Sequence, residues 1–348
     1  MRTVVWEKDQ VVVIDQRKLP QALEYVRCSD YREVADAIRD MLVRGAPAIG
    51  ATAAYGMALA AGKFCNLERP EFLRRMEEVS MALAATRPTA VNLFWALREI
   101  EGVILNNRDR EPRDIYKEIL KTAEKIAGDD IETNRRIGEY GAELVPQSAN
   151  ILTHCNTGSL ATVEFGTALG VIRAAHRQGK NVHVFVDETR PRLQGARLTA
   201  WELVQEQIPA TLIPDSASGM LMKDGRVGLV LVGADRIALN GDTANKIGTY
   251  NVAVIAHENH VPFYVVAPTT TIDFEMESGD SIVIEERDKR EVTHIEGVPI
   301  APEGIGVFNP AFDVTPAKYI TAIITEKGII EKPFDDNLQR LKGNSREG

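Results

Sequence analysis

A chain of 348 residues in which 44% of the side chains are apolar has material for two cores rather than one. Its formal net charge of −9 comes with no block of Lys and Arg standing out from acidic neighbours, which argues against a nucleic-acid partner and leaves any anion to single, well-placed cations. Three widely spaced cysteines make no disulfide framework, and no C-x-x-C or H-x-x-x-H pair offers the spacing of a metal site.

The opening MRTVVWEKDQVVVIDQRKLP interrupts its apolar residues with Glu7, Asp9 and Asp15. It reads as neither a signal peptide nor a membrane span, so the expected setting is the cytoplasm, away from membranes, with reduced thiols. Within it, TVVWEKDQVVVID has a polar centre suited to a small β-hairpin. From Asp30 the spacing turns helical, with Val34, Ile38, Met41 and Leu42 recurring at helix intervals. RGAPAIGATAAYGMALAAG follows as a small-residue helix that must pack closely, with Pro47 near its first turn as a start signal. PEFLRRMEEVSMALAAT and AVNLFWALREIEGVIL are amphipathic helices, and the charged stretch from Asp114 to Leu144 suits a bridge between cores. The expected division is a mainly helical domain over 1–125, a connecting helix over 126–146 and a second domain over 147–348.

From Asn150 the texture changes. Apolar strands ILTHC, NVHVFVDE, ATLIPDS, GLVLVGAD and VPFYVVAP alternate with helical segments TVEFGTALGVIRAAHRQG, GARLTAWELVQEQ, ASGMLMKDG and NKIGTYNVAVIAHENH. That beat predicts an α/β domain with a Rossmann-like, doubly wound parallel sheet, whose ligands bind outside the carboxyl ends of the strands. The strand ends carry Cys155 and Asn156, Asp187 to Gln194, Asp215 and Ser216, Asp235 and Arg236, and Pro268 and Thr269. CNTGSLAT has a single glycine and no G-x-G-x-x-G, which argues against a nicotinamide cofactor.

Two of these ends hold reactive groups. A buried cysteine is commonly a small apolar filler, and Cys28 and Cys65 read that way. Cys155 is either filler too or a functional thiol, because Gly158 and Ser159 read as a helix start whose free N–H groups favour an anion. Asp235 ends a very apolar strand, where its carboxylate is either a partly desolvated proton carrier or the cap of the next turn. GDTANK places Asn245 and Lys246 at a predicted helix entrance, able to hold hydroxyls or phosphate or simply solvated. Arg44 and Gly45 before one helix, and Arg87 in TRPTAVN before another, are phosphate candidates that would complete a pocket with Cys155 and Asp235.

Taken together, RGAPAIG, TRPTAVNLFWAL, HCNTGSLAT, DETRPRLQGARLTAWEL, GADRIALNGDTANKIGTY and NPAFDVTP resemble the 5-methylthioribose-1-phosphate isomerases of methionine salvage over nearly the whole chain. That family is similar to the regulatory subunits of the exchange factor of eukaryotic translation initiation. The resemblance implies a helical N-terminal domain, a Rossmann-like C-terminal domain and a homodimer, and the close packing expected of the AIGATAAYGMALAAG helix points to a homodimer as well. The resemblance also implies that Cys155 and Asp235 are the catalytic pair, that Arg44, Arg87 and Lys246 hold the phosphate, that Gln194 and Asn245 bind substrate oxygens, and that Gly45 and Ala46 belong to the substrate-binding residues.

The implied chemistry converts an aldose 1-phosphate to a ketose 1-phosphate. Because the anomeric oxygen carries phosphate, the sugar ring does not open spontaneously, and an acid is needed to break the ring C–O bond. Hydrogen then moves from C2 to C1 through an enolate or as a hydride, and a thiol with a carboxylate suffices as proton carriers. Neither scheme calls for a metal or organic cofactor. Two alternatives are an isomerase of ribose 1,5-bisphosphate and a non-catalytic subunit that senses a sugar phosphate or nucleotide. A catalytic Cys155 must also be reachable from the cleft at its strand end.

Overall fold

The computed structural model describes residues 1–88 and 90–344. Thr89 of the TRPTAVN motif lies outside the described residues. Two compact units emerge, one made of Met1–Arg135 with Thr157–Gly166 and the other of Arg136–Asn156 with Thr167–Gly348.

In the first unit the expected hairpin, β1 (Val4–Glu7) and β2 (Gln10–Ile14), gains a third antiparallel strand, β3 (Tyr25–Cys28). Helix α1 (Tyr31–Arg39) opens on a capping box in which Asp30 and Glu33 satisfy each other's backbone N–H groups. Helix α2 (Ala46–Phe64) is buried on every side from Ala48 to Ala61, as its small residues foretell. The amphipathic runs become α3 (Arg69–Ala84) and α4 (Val91–Asn106). A Cβ on Gly50 would come within 2.8 Å of the Asn92 carbonyl, so α2 and α4 touch near their N-terminal ends. Arg44 and Arg87 each stand just before one of those ends. The charged stretch is one helix, α5 (Pro112–Glu143), and the division between the units falls within it.

One acid in α5 carries a pH signature. Asp130 accepts hydrogen bonds from the Val163 N–H at 2.7 Å and from Asn134 Nδ2 at 3.0 Å. Burial nevertheless raises its carboxyl from 3.8 to about 7. A group that binds its proton more tightly when folded contributes stability below its unfolded pKa and loses it as pH rises through the folded value. Its contribution to stability should therefore be lost between about pH 4 and pH 7, and Asp130→Asn should remove that downward component from the pH dependence, read as urea midpoints across the range. An unchanged slope would show that Asp130 is not its source.

The second unit holds β4 (Ser148–Thr153), α6 (Ala168–Arg177), β5 (Asn181–Asp187), α7 (Ala200–Gln205), β6 (Ala210–Ile213), α8 (Ser218–Lys223) and β7 (Leu229–Val232). After these come β8 (Arg236–Ala238), β9 (Thr243–Lys246), α9 (Thr249–Glu258), β10 (Phe263–Val266) and β11 (Ile272–Asp273). The short α10 (Arg290–Thr293) and the hairpin of β12 (His294–Ile295) and β13 (Val298–Pro299) precede β14 (Phe312–Thr315), β15 (Ala322–Thr325), β16 (Gly328–Glu331) and α11 (Phe334–Asn344). The main sheet runs β16-β15-β10-β7-β4-β5-β6, parallel throughout except for the antiparallel edge strand β16. The chain proceeds outward from β4 through β5 to β6, then returns to β7 on the other side of β4. The order therefore reverses between β4 and β7, the crevice-forming point of a doubly wound sheet.

Two expectations fail locally. Asn245 and Lys246 do not open a helix; they lie on β9, in a second sheet ordered β11-β8-β9-β14, and α9 starts only after Gly248. The Asn240–Gly241–Asp242 turn folds β9 back on β8, and the FDVT strand of the NPAFDVTP motif pairs with it on the other side. Gly158 and Ser159 likewise lead not into an α-helix but into a three-residue 3-10 turn, Ser159–Ala161. The α-helix begins at Ala168.

Candidate active site

Cys155 sits two residues beyond β4 with φ of +66°. A side chain other than glycine in that left-handed region costs on the order of 1–3 kcal/mol and persists only where its surroundings enforce it. Here they do. The Cys155 N–H donates to Thr189 Oγ1 at 2.8 Å, and its carbonyl accepts from Thr199 Oγ1 at 2.7 Å. Thr199 ends a π-helical segment, Gly195–Thr199, that leads into α7. The next residue, Asn156, donates to the buried carboxylate of Glu202, which also pairs with Arg173.

The three thiols are now distinguishable. Cys28 is packed in the core of the first unit, and burial, helped by the charge of Glu33, pushes its thiol up to about 11. Cys65 is the most exposed and donates to the Gly62 carbonyl. Cys155 keeps 7% of its surface against 1% for Cys28, so it is more enclosed than an open cleft position requires.

Asp235 is partly exposed three residues beyond β7, and its N–H donates to the Ala244 carbonyl at 2.9 Å. The pairing of Ile151 with Leu229 and Leu152 with Val230 sets β4 and β7 side by side in parallel. Cys155 and Asp235 therefore leave the carboxyl ends of the two strands that flank the reversal of strand order.

The other expected residues of this unit are buried. Gln194 directly precedes the π-helical segment, and among the described residues its Oε1 has no hydrogen-bond partner. A Cβ on Gly195 would lie 1.7 Å from the Asp187 carbonyl, so only glycine lets this segment pass so close to the end of β5. Asn245 Nδ2 donates to Thr249 Oγ1, while Lys246 Nζ donates to the Ala311 carbonyl at 2.8 Å and lies 4.2 Å from the Phe312 ring centre. In the first unit, Gly45 adopts φ of +92°, and a Cβ there would fall 2.4 Å from Ala161 Cα. Arg44 and Ala46 flank that glycine and are partly buried, as is Arg87.

Sequence reasoning missed a buried pair. His154 Nδ1 lies 2.9 Å from Asp187 Oδ2, and its Nε2 lies 2.9 Å from the Ile247 carbonyl. Burial alone would lower the imidazole, but the hydrogen bond and charge of Asp187 outweigh it and hold its pKa above the ordinary value; burial pushes Asp187 up as well. The signal was in the register: Thr153 pairs with Val186, so His154 and Asp187 stand at the same height one step further along neighbouring strands. Asp313 was missed too, and it accepts from the Gly248 and Tyr250 N–H groups at the start of α9.

His154, Asp187 and Asp215 offer ligand atoms within 4.8 Å of one another. Both imidazole nitrogens are already engaged, and the two Asp215 oxygens accept from the Thr189 and Arg190 N–H groups, each at 2.7 Å. The donor set therefore fits a hydrogen-bond network better than a cation.

The family model of the initiation factor 2 subunits matches residues 42–332. The chain belongs to the initiation factor 2 subunit family. A methylthioribose-1-phosphate isomerase of Thermoanaerobacter sp. (strain X514) is 58% identical over 342 residues, 98% of this chain and 99% of its own. The crystal structure of 5-methylthioribose 1-phosphate isomerase from Pyrococcus horikoshii OT3 superposes with a TM-score of 0.93 at 48% identity, covering 99% of this chain and 96% of that one. That of translation initiation factor eIF-2B, subunit delta, from A. fulgidus gives 0.88 at 45% identity, covering 98% and 99%.

Proposed function

We propose that this chain is an aldose–ketose isomerase that converts 5-methylthioribose 1-phosphate to 5-methylthioribulose 1-phosphate in methionine salvage. The observation that carries the reading is the departure of Cys155 and Asp235 from the adjacent strand ends at the reversal of the sheet. The reaction asks for one proton donor and one acceptor. The ring oxygen gains a proton as its bond to C1 breaks, and the C2 hydroxyl loses one as the carbonyl forms. A thiol and a carboxylate supply those roles directly when the C2 hydrogen travels as a hydride; when it travels as a proton, one of the pair must also take it from C2 and return it at C1.

Gln194 Oε1, buried without a partner among the described residues, suits a substrate hydroxyl that satisfies it. Asn245 serves as a second hydroxyl ligand, Arg44, Arg87 and Lys246 as the phosphate ligands, and Gly45 and Ala46 as further substrate-binding residues. The decisive assay supplies methylthioribose 1-phosphate, and separately ribose 1,5-bisphosphate, to protein freed of metal by exhaustive chelation. Ketose from the first sugar supports the reading and its freedom from cofactors. Turnover of the bisphosphate alone, or of neither sugar, overturns it in favour of the related isomerase or of a sensing subunit.

Arg44→Ala should weaken substrate binding by roughly 1.5–3 kcal/mol, the scale of a hydrogen bond to a charged group. Titration calorimetry that finds the affinity unchanged would remove Arg44 from the site. No helix among the described residues is long and apolar enough to cross a membrane. The chain is expected to form a homodimer. Its small-residue helix does not bear on that, since Ala48 to Ala61 are buried within this chain. Light scattering that returns a monomer at micromolar concentration would refute the dimer.

A further inference from the structure

We propose that His154 is a positioning residue of the isomerase, an imidazole that ties the backbone carrying Cys155 to the backbone carrying Asn245 and Lys246. The proposal rests on the isomerase reading for its kinetic test and on geometry for the rest.

The ring is enclosed, with 1% of its surface left. A carbonyl oxygen only accepts, so the 2.9 Å contact with the Ile247 carbonyl places a proton on Nε2. Nδ1 then shares a single proton with Asp187 Oδ2. Each contact leads to a part of the proposed site. Ile247 follows Asn245 and Lys246 directly, and Gly248, at φ of +102°, sits close to the imidazole; a Cβ there would meet Cε1 and Nε2 at 3.0 and 3.1 Å. On the other side, the Asp187 carbonyl accepts from Thr189 Oγ1 at 3.0 Å, and that same oxygen accepts the Cys155 N–H.

A closed circuit results, from His154 through Asp187 and Thr189 back to Cys155, the neighbour of His154, and Nε2 ties the Ile247 carbonyl to it. Such a circuit can hold a left-handed cysteine without touching its thiol. An ordinary core histidine would not need both nitrogens committed to the two chain segments that carry expected substrate-contacting groups. Misplacing a reacting group by about 1 Å is enough to cost on the order of 100-fold in rate, so the bracket is of the size that matters.

Two substitutions separate the arms. His154→Gln keeps a donor that reaches the Ile247 carbonyl and gives up Asp187. His154→Asn keeps a partner for Asp187 and is too short for Ile247. The glutamine variant should lose about 10- to 100-fold in kcat with KM nearly unchanged, and the asparagine variant should raise KM about tenfold or more. Alkylation of Cys155 by iodoacetamide, followed by peptide mapping so that Cys65 is counted apart, should change severalfold in the glutamine variant and little in the asparagine one.

If both variants lose kcat and KM together in step with their melting temperatures, His154 is only a core residue and the proposal falls. It falls equally if neither variant differs from the parent. If the parent protein shows no isomerase activity, the functional reading fails, and the alkylation contrast still decides on the positioning role. Should neither variant fold, 15N NMR of the unsubstituted protein takes over. A His154 Nε2–H in slow exchange that shifts when product binds supports the proposal, and one that exchanges freely or ignores product overturns it.

Discussion

Replacing Cys155 with serine should leave a folded protein whose isomerase turnover is about two to four orders of magnitude lower, the scale of losing a principal acid or base. The fold should survive because the groups that hold this residue are not on its sulfur. Its N–H is bound by Thr189 and its carbonyl by Thr199, and serine offers the same two backbone groups with a side chain of nearly the same shape. The chemistry should not survive, because a hydroxyl gives up its proton far less readily than a thiol near neutral pH. Melting temperature and the rate of ketose formation are the paired measurements. A serine protein that isomerises at close to the parent rate would make Cys155 a packing residue at the end of a strand, whatever its backbone angle.

How far such a residue can be read from sequence depends on what sets its neighbourhood. The alternation of apolar strands with helical segments from Asn150 onward carries the parallel sheet. The strand-end rule then reaches Cys155 and Asp235 without any knowledge of strand order. Order is what makes them neighbours. It depends on β7 returning beside β4, a pairing across 78 residues from Leu152 to Val230 by register that no local pattern encodes. The same limit explains Asn245 and Lys246. Their four-residue run is a strand because Phe312–Thr315 pairs with it, and read alone it merges into the helix that follows. The third N-terminal strand, YVRC, has one buried residue in four and so lacks an apolar signal of its own. The Gly158–Ser159 misreading has another cause: Thr157–Gly166 is packed as part of the first unit, so its turn is shaped by residues such as Gly45 rather than by the strand it follows. His154 was in view beside Cys155, and only the pairing of β4 with β5 shows that its partner is Asp187.

Asp235→Asn is the second substitution with a large expected effect, and its value lies in separating the two meanings of that carboxylate. As a turn cap, Asp235 would matter through stability; as a proton carrier, through rate. The contact of this residue that is on view favours the separation, since its N–H to the Ala244 carbonyl comes from the backbone and is kept by asparagine. Asparagine is close to isosteric but does not take up a proton at neutral pH, so turnover should fall by about two to four orders of magnitude with the melting temperature nearly unchanged. Combining it with Cys155→Ser should cost little more than the worse single change, because a donor without an acceptor, or the reverse, completes neither ring opening nor carbonyl formation, and groups that act as a unit are strongly non-additive. If the two losses multiplied in full, each residue would be contributing independently and the proton-relay pairing of Cys155 with Asp235 would be wrong. If Asp235→Asn instead lowered the melting temperature and left turnover intact, the carboxylate would be a structural cap, and the second proton carrier would have to be sought among the other strand-end acids, Asp187 and Asp215.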